Sequence, residues 1–344
     1  MIGISFSETL RRFALALRRY LDKLEKWLVR TTWLERIGLT ALVLLLVNTF
    51  FSFNVEVHRK PILTSRPVSQ PVQKTASAPV DSRAAATTLP SASALEASVL
   101  PTDGVTIPVR WGDLGEQLVD TGVIDRKNID ALYASRGGVS AYMETMLTTN
   151  QTAPLVINQQ NASELLNLLW AFGLGNKNDI LDSGEMSDPR YGGAGGFAST
   201  GGWTVASGDP MSHYSAHPFV VLTADEQALV DRVSRNIYRP CCGNSTHFPD
   251  CNHGMAMLGL LELMAAQGAD EATMYQTALV VNSHWFPDTY LTIATYFSNQ
   301  GIAWKDVDPK QALSSQFSSA SGYQQVASVV TPVTSSAGGN GCST

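Results

Sequence analysis

Basic charge is scarce where most of the chain lies. Residues 101–344 carry eleven Lys/Arg against twenty-three Asp/Glu. A net of −12 on that body argues against nucleic acid as its partner. Strand signals are equally sparse: "PLVIN" and "PFVVLT" are short, and no internal repeat is visible. Cysteine is rare, four in 344 residues, and none stands in a C-x-x-C or C-x-x-C-H spacing. That removes a thioredoxin-like motif and c-type haem attachment. Charge is absent from residues 37–55, and aromatic residues are absent from 61–100.

The uncharged run, "IGLTALVLLLVNTFFSFNV", has the length needed to cross roughly 30 Å of hydrocarbon. It sets an expected transmembrane helix over 36–56. Before it, residues 1–36 carry eight Lys/Arg against four Asp/Glu. Leu10, Phe13, Leu17, Leu21, Leu24 and Leu28 recur there at helical steps between basic residues. This reads as a basic amphipathic helix over 1–35, with Tyr20, Trp27 and Trp33 as interface anchors and anionic lipid as partner. The excess of Lys/Arg ahead of the span keeps the N-terminus cytoplasmic and puts the acidic body outside. Residues 57–100, rich in Pro, Ser, Thr and Ala, read as a disordered linker.

The body reads as mainly α, one compact helical extracytoplasmic domain over 101–317. Asp125 is the expected N-cap of "RKNIDALYA". Asn161 with Glu164, and Thr223 with Glu226, have capping-box spacing. Gly268 and Gly301 stop helices, and Pro287 breaks the last long pair. Residues 318–344, poor in charge and rich in Ser and Gly, read as an irregular tail. The glycine run "YGGAGGFASTGGW" holds a G-x-G-x-x-A spacing at Gly193, Gly195 and Ala198. No apolar strand precedes it and no lysine stands by, so an irregular loop is expected, not a nucleotide site. His213 and His217 are four apart, but Pro210 and Pro218 flank them and disfavour the helix that would put both on one face, so polar loop residues are expected.

Chemistry concentrates in "RPCCGNSTHFPDCNH", Arg239 to His253, with three of the four cysteines and two of the six histidines. Cys241 and Cys242 are adjacent, so their Cα atoms lie about 3.8 Å apart, below the usual disulfide range. Cys251 is the remaining partner for either of them, with Cys342 for the other. Thiolate and imidazole at this density suit zinc or monovalent copper, and Met255 and Met257 lean the choice toward copper. The candidate ligands are Cys241, Cys242, Cys251 and His253, with His247 in reserve. Asn252 is the expected N-cap of the following helix, which places Cys251 beside the positive end of its dipole. Two alternatives stay open: thiol–disulfide chemistry by the same cysteines, and a disulfide-stapled structural or assembly subunit of a membrane complex.

The stretches "IPVRWGDLGEQLVDTGVID", "DPRYGGAGGFASTGGWT" and "NIYRPCCGNSTHFPDCNHGMAMLGLLELMAAQG" resemble a bacterial membrane-anchored family, over most of 105–325. The resemblance implies a bacterial source, an inner-membrane anchor and a periplasmic or cell-surface body. It assigns no activity and no residue roles. The sequence as a whole points to an extracytoplasmic protein holding copper, then zinc, at a Cys/His cluster.

Overall fold

The computed structural model describes residues 90–336. The helix expected over 1–35, the span over 36–56, the linker up to residue 89 and Cys342 lie outside the described residues. The described part is mainly α, as expected. The membrane element of the fold class needs correcting. No helix among the described residues is long and apolar enough to cross a membrane, so a single transmembrane helix is not part of the observed fold. The longest helices have 15 residues, about 22 Å at 1.5 Å per residue, short of a bilayer's roughly 30 Å.

The described chain opens with α1 (Ala92–Val99), β1 (Val105–Gly112), α2 (Leu114–Asp120), α3 (Arg126–Ala134), α4 (Ala141–Thr148) and β2 (Gln151–Ile157). β1 and β2 pair antiparallel, Val105 opposite Ile157 and Gly112 opposite Gln151, with irregular register between. β1 alternates, burying Ile107, Val109 and Trp111. Then follow α5 (Ala162–Gly175), α6 (Asp179–Ser183), a long irregular stretch, α7 (Ala224–Ser234), α8 (Asn252–Ala266), α9 (Glu271–Trp285) and α10 (Pro287–Asn299). Three short helices close the chain: α11 (Pro309–Ala312), α12 (Ser315–Ser318) and α13 (Ala320–Val329).

The core sits between α5 and α8, both apolar on nearly every side and buried along almost their whole length. Their backbones touch. A Cβ on Gly173 would lie 2.2 Å from the Met255 carbonyl oxygen, and one on Gly259 would lie 2.8 Å from that of Leu169. Glycine at the crossing is what allows two such wide apolar helices to pack this closely. Met255 and Met257 are ordinary members of this core.

The caps explain several boundaries. Asp125 accepts from the backbones of Lys127 and Asn128, and Thr223 with Glu226 forms a full capping box. Asn161 and Glu164 do not. Asn161 instead folds back, accepting from Asn158 N and donating to the Val156 carbonyl, because the tight link from β2 offers closer partners than its own helix. Asn252 is likewise the first residue of α8, and Cys251 is the cap position itself.

Two expectations from composition are revised. The linker expected to residue 100 ends in α1, whose alanines favour helix and whose Ser91 caps Ala94 N. The irregular tail expected from 318 contains α13, capped by Ser319. Beyond it, residues 331–336 run back over the body. Val333 N meets Thr292 Oγ1, Ser335 N meets Asp288 Oδ1, and Ser336 N meets Glu96 Oε1 of α1. The glycine run is the irregular loop expected, built on two 3-10 turns with Gly192 and Gly193 at positive φ.

Candidate metal centre

The segment from Asn236 to Cys251 joins α7 to α8, and it is clamped from outside. Tyr238 N donates to the Leu313 carbonyl, Ala320 N donates to the Cys242 carbonyl, and Asn282 Nδ2 of α9 donates to the Tyr238 carbonyl. The closing helices α11 to α13 therefore form one wall of the cysteine loop.

Inside the loop lies Arg239, 1% exposed. Its Nε donates to Cys251 Sγ at 2.9 Å, Nη1 to the Asn244 carbonyl at 3.1 Å, and Nη2 to the Phe248 carbonyl at 3.0 Å. Nη2 also pairs with Asp250 Oδ1, whose other oxygen accepts from Asn244 Nδ2 at 2.8 Å. The guanidinium lies against the first turn of α8, where a Cβ on Gly254 would come 2.5 Å from Cζ. Glycine at 254 is thus required by the arginine, not by its own backbone angles. Burial alone would lower the pKa of Arg239, but the charges of Cys251 and Cys242 and the bond to Cys251 outweigh it and hold it raised.

Cys251 and Cys242 face this charge, and Cys241 joins them through Cys251. Cys241 Sγ is 3.4 Å from Cys251 Sγ. Cys242 Sγ faces the Asn244 carbonyl at 3.9 Å and Asp250 Oδ1 at 3.8 Å. None of the three is in a disulfide. Hydrogen bonds from Cys241 and Cys242, and then the positive charge of Arg239, hold the Cys251 thiol well below its ordinary range against burial. Cys241 is pushed the other way, by its bonds to Cys242 and Cys251 and by burial. The first thiolate of the trio therefore sits on Cys251, at the N-cap of a 15-residue helix whose dipole favours it.

His253, the second residue of α8, is 4% exposed. Its ring lies against Phe286 and Trp285, with centroids 4.4 and 5.7 Å away. Nδ1 donates to Asn252 Oδ1 at 2.9 Å, which fixes the tautomer and leaves Nε2 as the bare donor atom. The ligand atoms of Cys241, Cys251 and His253 all lie within 4.8 Å of one another. Those of Cys242, Asp250 and Cys251 form a second such group. Four of the five expected site residues are thus brought together, but not around one point. Cys242 stands with Asp250, and Cys251 belongs to both groups.

The fifth, His247, is elsewhere. It points away from the thiols, with Nδ1 against Glu185 Oε2 and Nε2 at 2.8 Å from Asp231 Oδ1. Both of its ring nitrogens thus face carboxylate oxygens. Arg235 also pairs with Asp231, at 2.9 Å. Two carboxylates from other elements have claimed this histidine, so it is corrected out of the ligand set. It borders a cavity of about 730 Å³, whose wall includes Asn178, Ile180, Leu222 and Gln227 and no cysteine. His213 and His217 stack on each other, Nδ1 to Nε2 at 3.1 Å, with His213 Nε2 on the Ser207 carbonyl. No third ligand joins them among the described residues.

The residues missed from sequence are Arg239 and Asp250. Both stand inside the cysteine stretch, and a cation among three thiols was the available signal. Comparison of the chain with protein-family models, with curated proteins and with solved structures finds no match.

Proposed function

We propose that the loop is a binding site for a soft transition-metal ion, copper first and zinc second. The observation that carries this is the grouping of the Cys241, Cys251 and His253 ligand atoms within 4.8 Å of one another. The sulfur spacing supports it. Two thiolates on a tetrahedral ion at about 2.3 Å each are about 3.8 Å apart, and a disulfide needs about 2.05 Å. The observed 3.4 Å is nearer the first. Two thiolates and an imidazole, shielded by Phe286 and Trp285, favour the softer ion.

The test is elemental analysis of the reduced full-length chain after anaerobic loading with Cu(I) or Zn(II) and removal of excess. At least one tightly held equivalent is expected, and Cys241→Ser or His253→Ala should lose it while circular dichroism stays unchanged. Less than about a third of an equivalent of either ion sinks the reading. The Arg239 contact to Cys251 at 2.9 Å favours a second reading, thiol–disulfide exchange by the same pair. A wild type that takes no ion but exchanges readily with glutathione would select it.

A further inference from the structure

The ligand atoms do not form one four-donor shell. They form two three-donor groups, Cys241–Cys251–His253 and Cys242–Asp250–Cys251, with Cys251 alone in common. From that geometry we infer that the loop is a two-ion site, two monovalent copper ions bridged by the Cys251 thiolate. This rests on the soft-metal reading above and extends it to stoichiometry and ion charge.

The first position has two sulfurs and a buried imidazole. Cys241 Sγ is already 3.4 Å from Cys251 Sγ, and His253 has its ring locked by Asn252 and by aromatic walls. The second position has the Cys242 and Cys251 sulfurs, with a carboxylate oxygen of Asp250 3.8 Å from Cys242 Sγ. Asp250 is a hard donor already shared with Arg239 and Asn244, so the two thiolates carry this ion and it is held more weakly. A bridging sulfur keeps lone-pair capacity for the Arg239 N–H, which limits the charge that Cys251 gives to either ion.

Charge balance selects a monovalent ion. Thiol ligands bind as thiolates and release protons. When a second Cu⁺ enters and Cys242 loses its proton, one positive charge replaces one positive charge. The net charge of this part-buried loop does not change, and no electron is transferred. A second Zn²⁺ displacing the same proton adds one positive charge beside Arg239, a group 1% exposed, with only Asp250 to offset it.

The experiment titrates the reduced full-length chain anaerobically with Cu(I), supplied as its acetonitrile complex, against a chromophoric Cu(I) chelator. Copper X-ray absorption is recorded at each step. Two equivalents in wild type, the second about tenfold or more weaker, with a copper–copper scattering shell present only at two, support the inference. Cys242→Ser should keep one equivalent and lose that shell. Outside the thiol trio its side chain makes only the two long contacts to Asn244 and Asp250, so the fold should survive, and circular dichroism checks this. Asp250→Asn should weaken the second step alone, and Zn(II) should stop at one. One equivalent in wild type overturns the two-ion site and leaves the soft-metal reading standing. No equivalent overturns both. Two equivalents retained by Cys242→Ser overturn the assignment of the second position.

Discussion

Two buried ionisable groups lie along helix α8 within three turns of each other, Arg239 packed against it and Glu262 part of it, and the protein treats them oppositely. At its N-terminus, Arg239 lies against Gly254 with Cys251, Asn244, Phe248 and Asp250 all accepting from it. Near the middle, Glu262 is fully buried against one partner, Asn176 Nδ2 at 2.6 Å. Its Oε1 has none. Burial raises the Glu262 pKa well above the ordinary value, with only the Asn176 bond opposing. The cation keeps its charge because the loop is built around it. The acid has no such surroundings, and burial pushes it toward its neutral form. Burial alone does not decide the fate of a charge; the number of partners within reach does.

The sharpest way to break the comparison is to remove the cation. Arg239→Leu strips four acceptors of their donor and leaves Asp250 and Cys251 without a countercharge. A loss of about 3–5 kcal/mol is expected, as for a buried pair with one member deleted, read from urea denaturation. Arg239→Lys should recover only part of this, since one ammonium cannot reach along the same fork. Gly254→Ala attacks the same contact from the helix side. Its Cβ would lie 2.5 Å from Cζ, and a cost of about 1–3 kcal/mol is expected from overpacking. A Gly254→Ala protein as stable as wild type would show that the guanidinium moves aside freely, and the loop would then not be built on it.

These contacts mark the limit of what the sequence disclosed. Helical periodicity and capping spacing located α3, α7, α9 and α10, because those signals are local. The cysteine loop was legible as a cluster for the same reason: Cys241, Cys242, Cys251 and His253 lie within thirteen residues. What stayed hidden was set by distant partners. His247 sits in the same stretch, yet Glu185 and Asp231, 62 and 16 residues away, took it. The role of Arg239 depends on the missing Cβ of Gly254, which no motif records. Composition misread residues 92–99 and 320–329 because Ser/Ala-rich chain is helical when capped and packed, and packing is not visible in composition.

Glu262 offers the next largest effect, and its sign differs. A carboxyl whose folded pKa is raised contributes stability that is complete below the unfolded value, here 4.5. That stability is lost as pH rises toward the folded pKa, at about 1.4 kcal/mol per pH unit. Wild type should therefore weaken across this window by more than its other groups explain. Glu262→Gln keeps an uncharged side chain of the same shape on Asn176. It should match wild type near pH 4 and be more stable at pH 7, by roughly 1–3 kcal/mol. Equal stability of the two proteins at both pH values would mean that Glu262 is ionised and paired, contrary to its surroundings.

The smallest effect belongs to a pair that looks as good on distance as any in the loop. Arg232 Nε is 2.9 Å from Glu271 Oε2, as close as Arg239 Nε to Cys251. Their side chains are 55% and 36% exposed, and water screens what the interior would not. Lys310 already shares Glu271 at 3.4 Å, so the carboxylate keeps a cation when Arg232 is removed. Arg232→Ala should cost about 0.2–1 kcal/mol at low salt and less at 1 M salt, where charges interact over only about 3 Å. Thermal unfolding at both salt concentrations checks it. A loss approaching that of Arg239→Leu would mean that distance, not enclosure, sets the worth of a charge pair in this protein, and the contrast between the two arginines would fall with it.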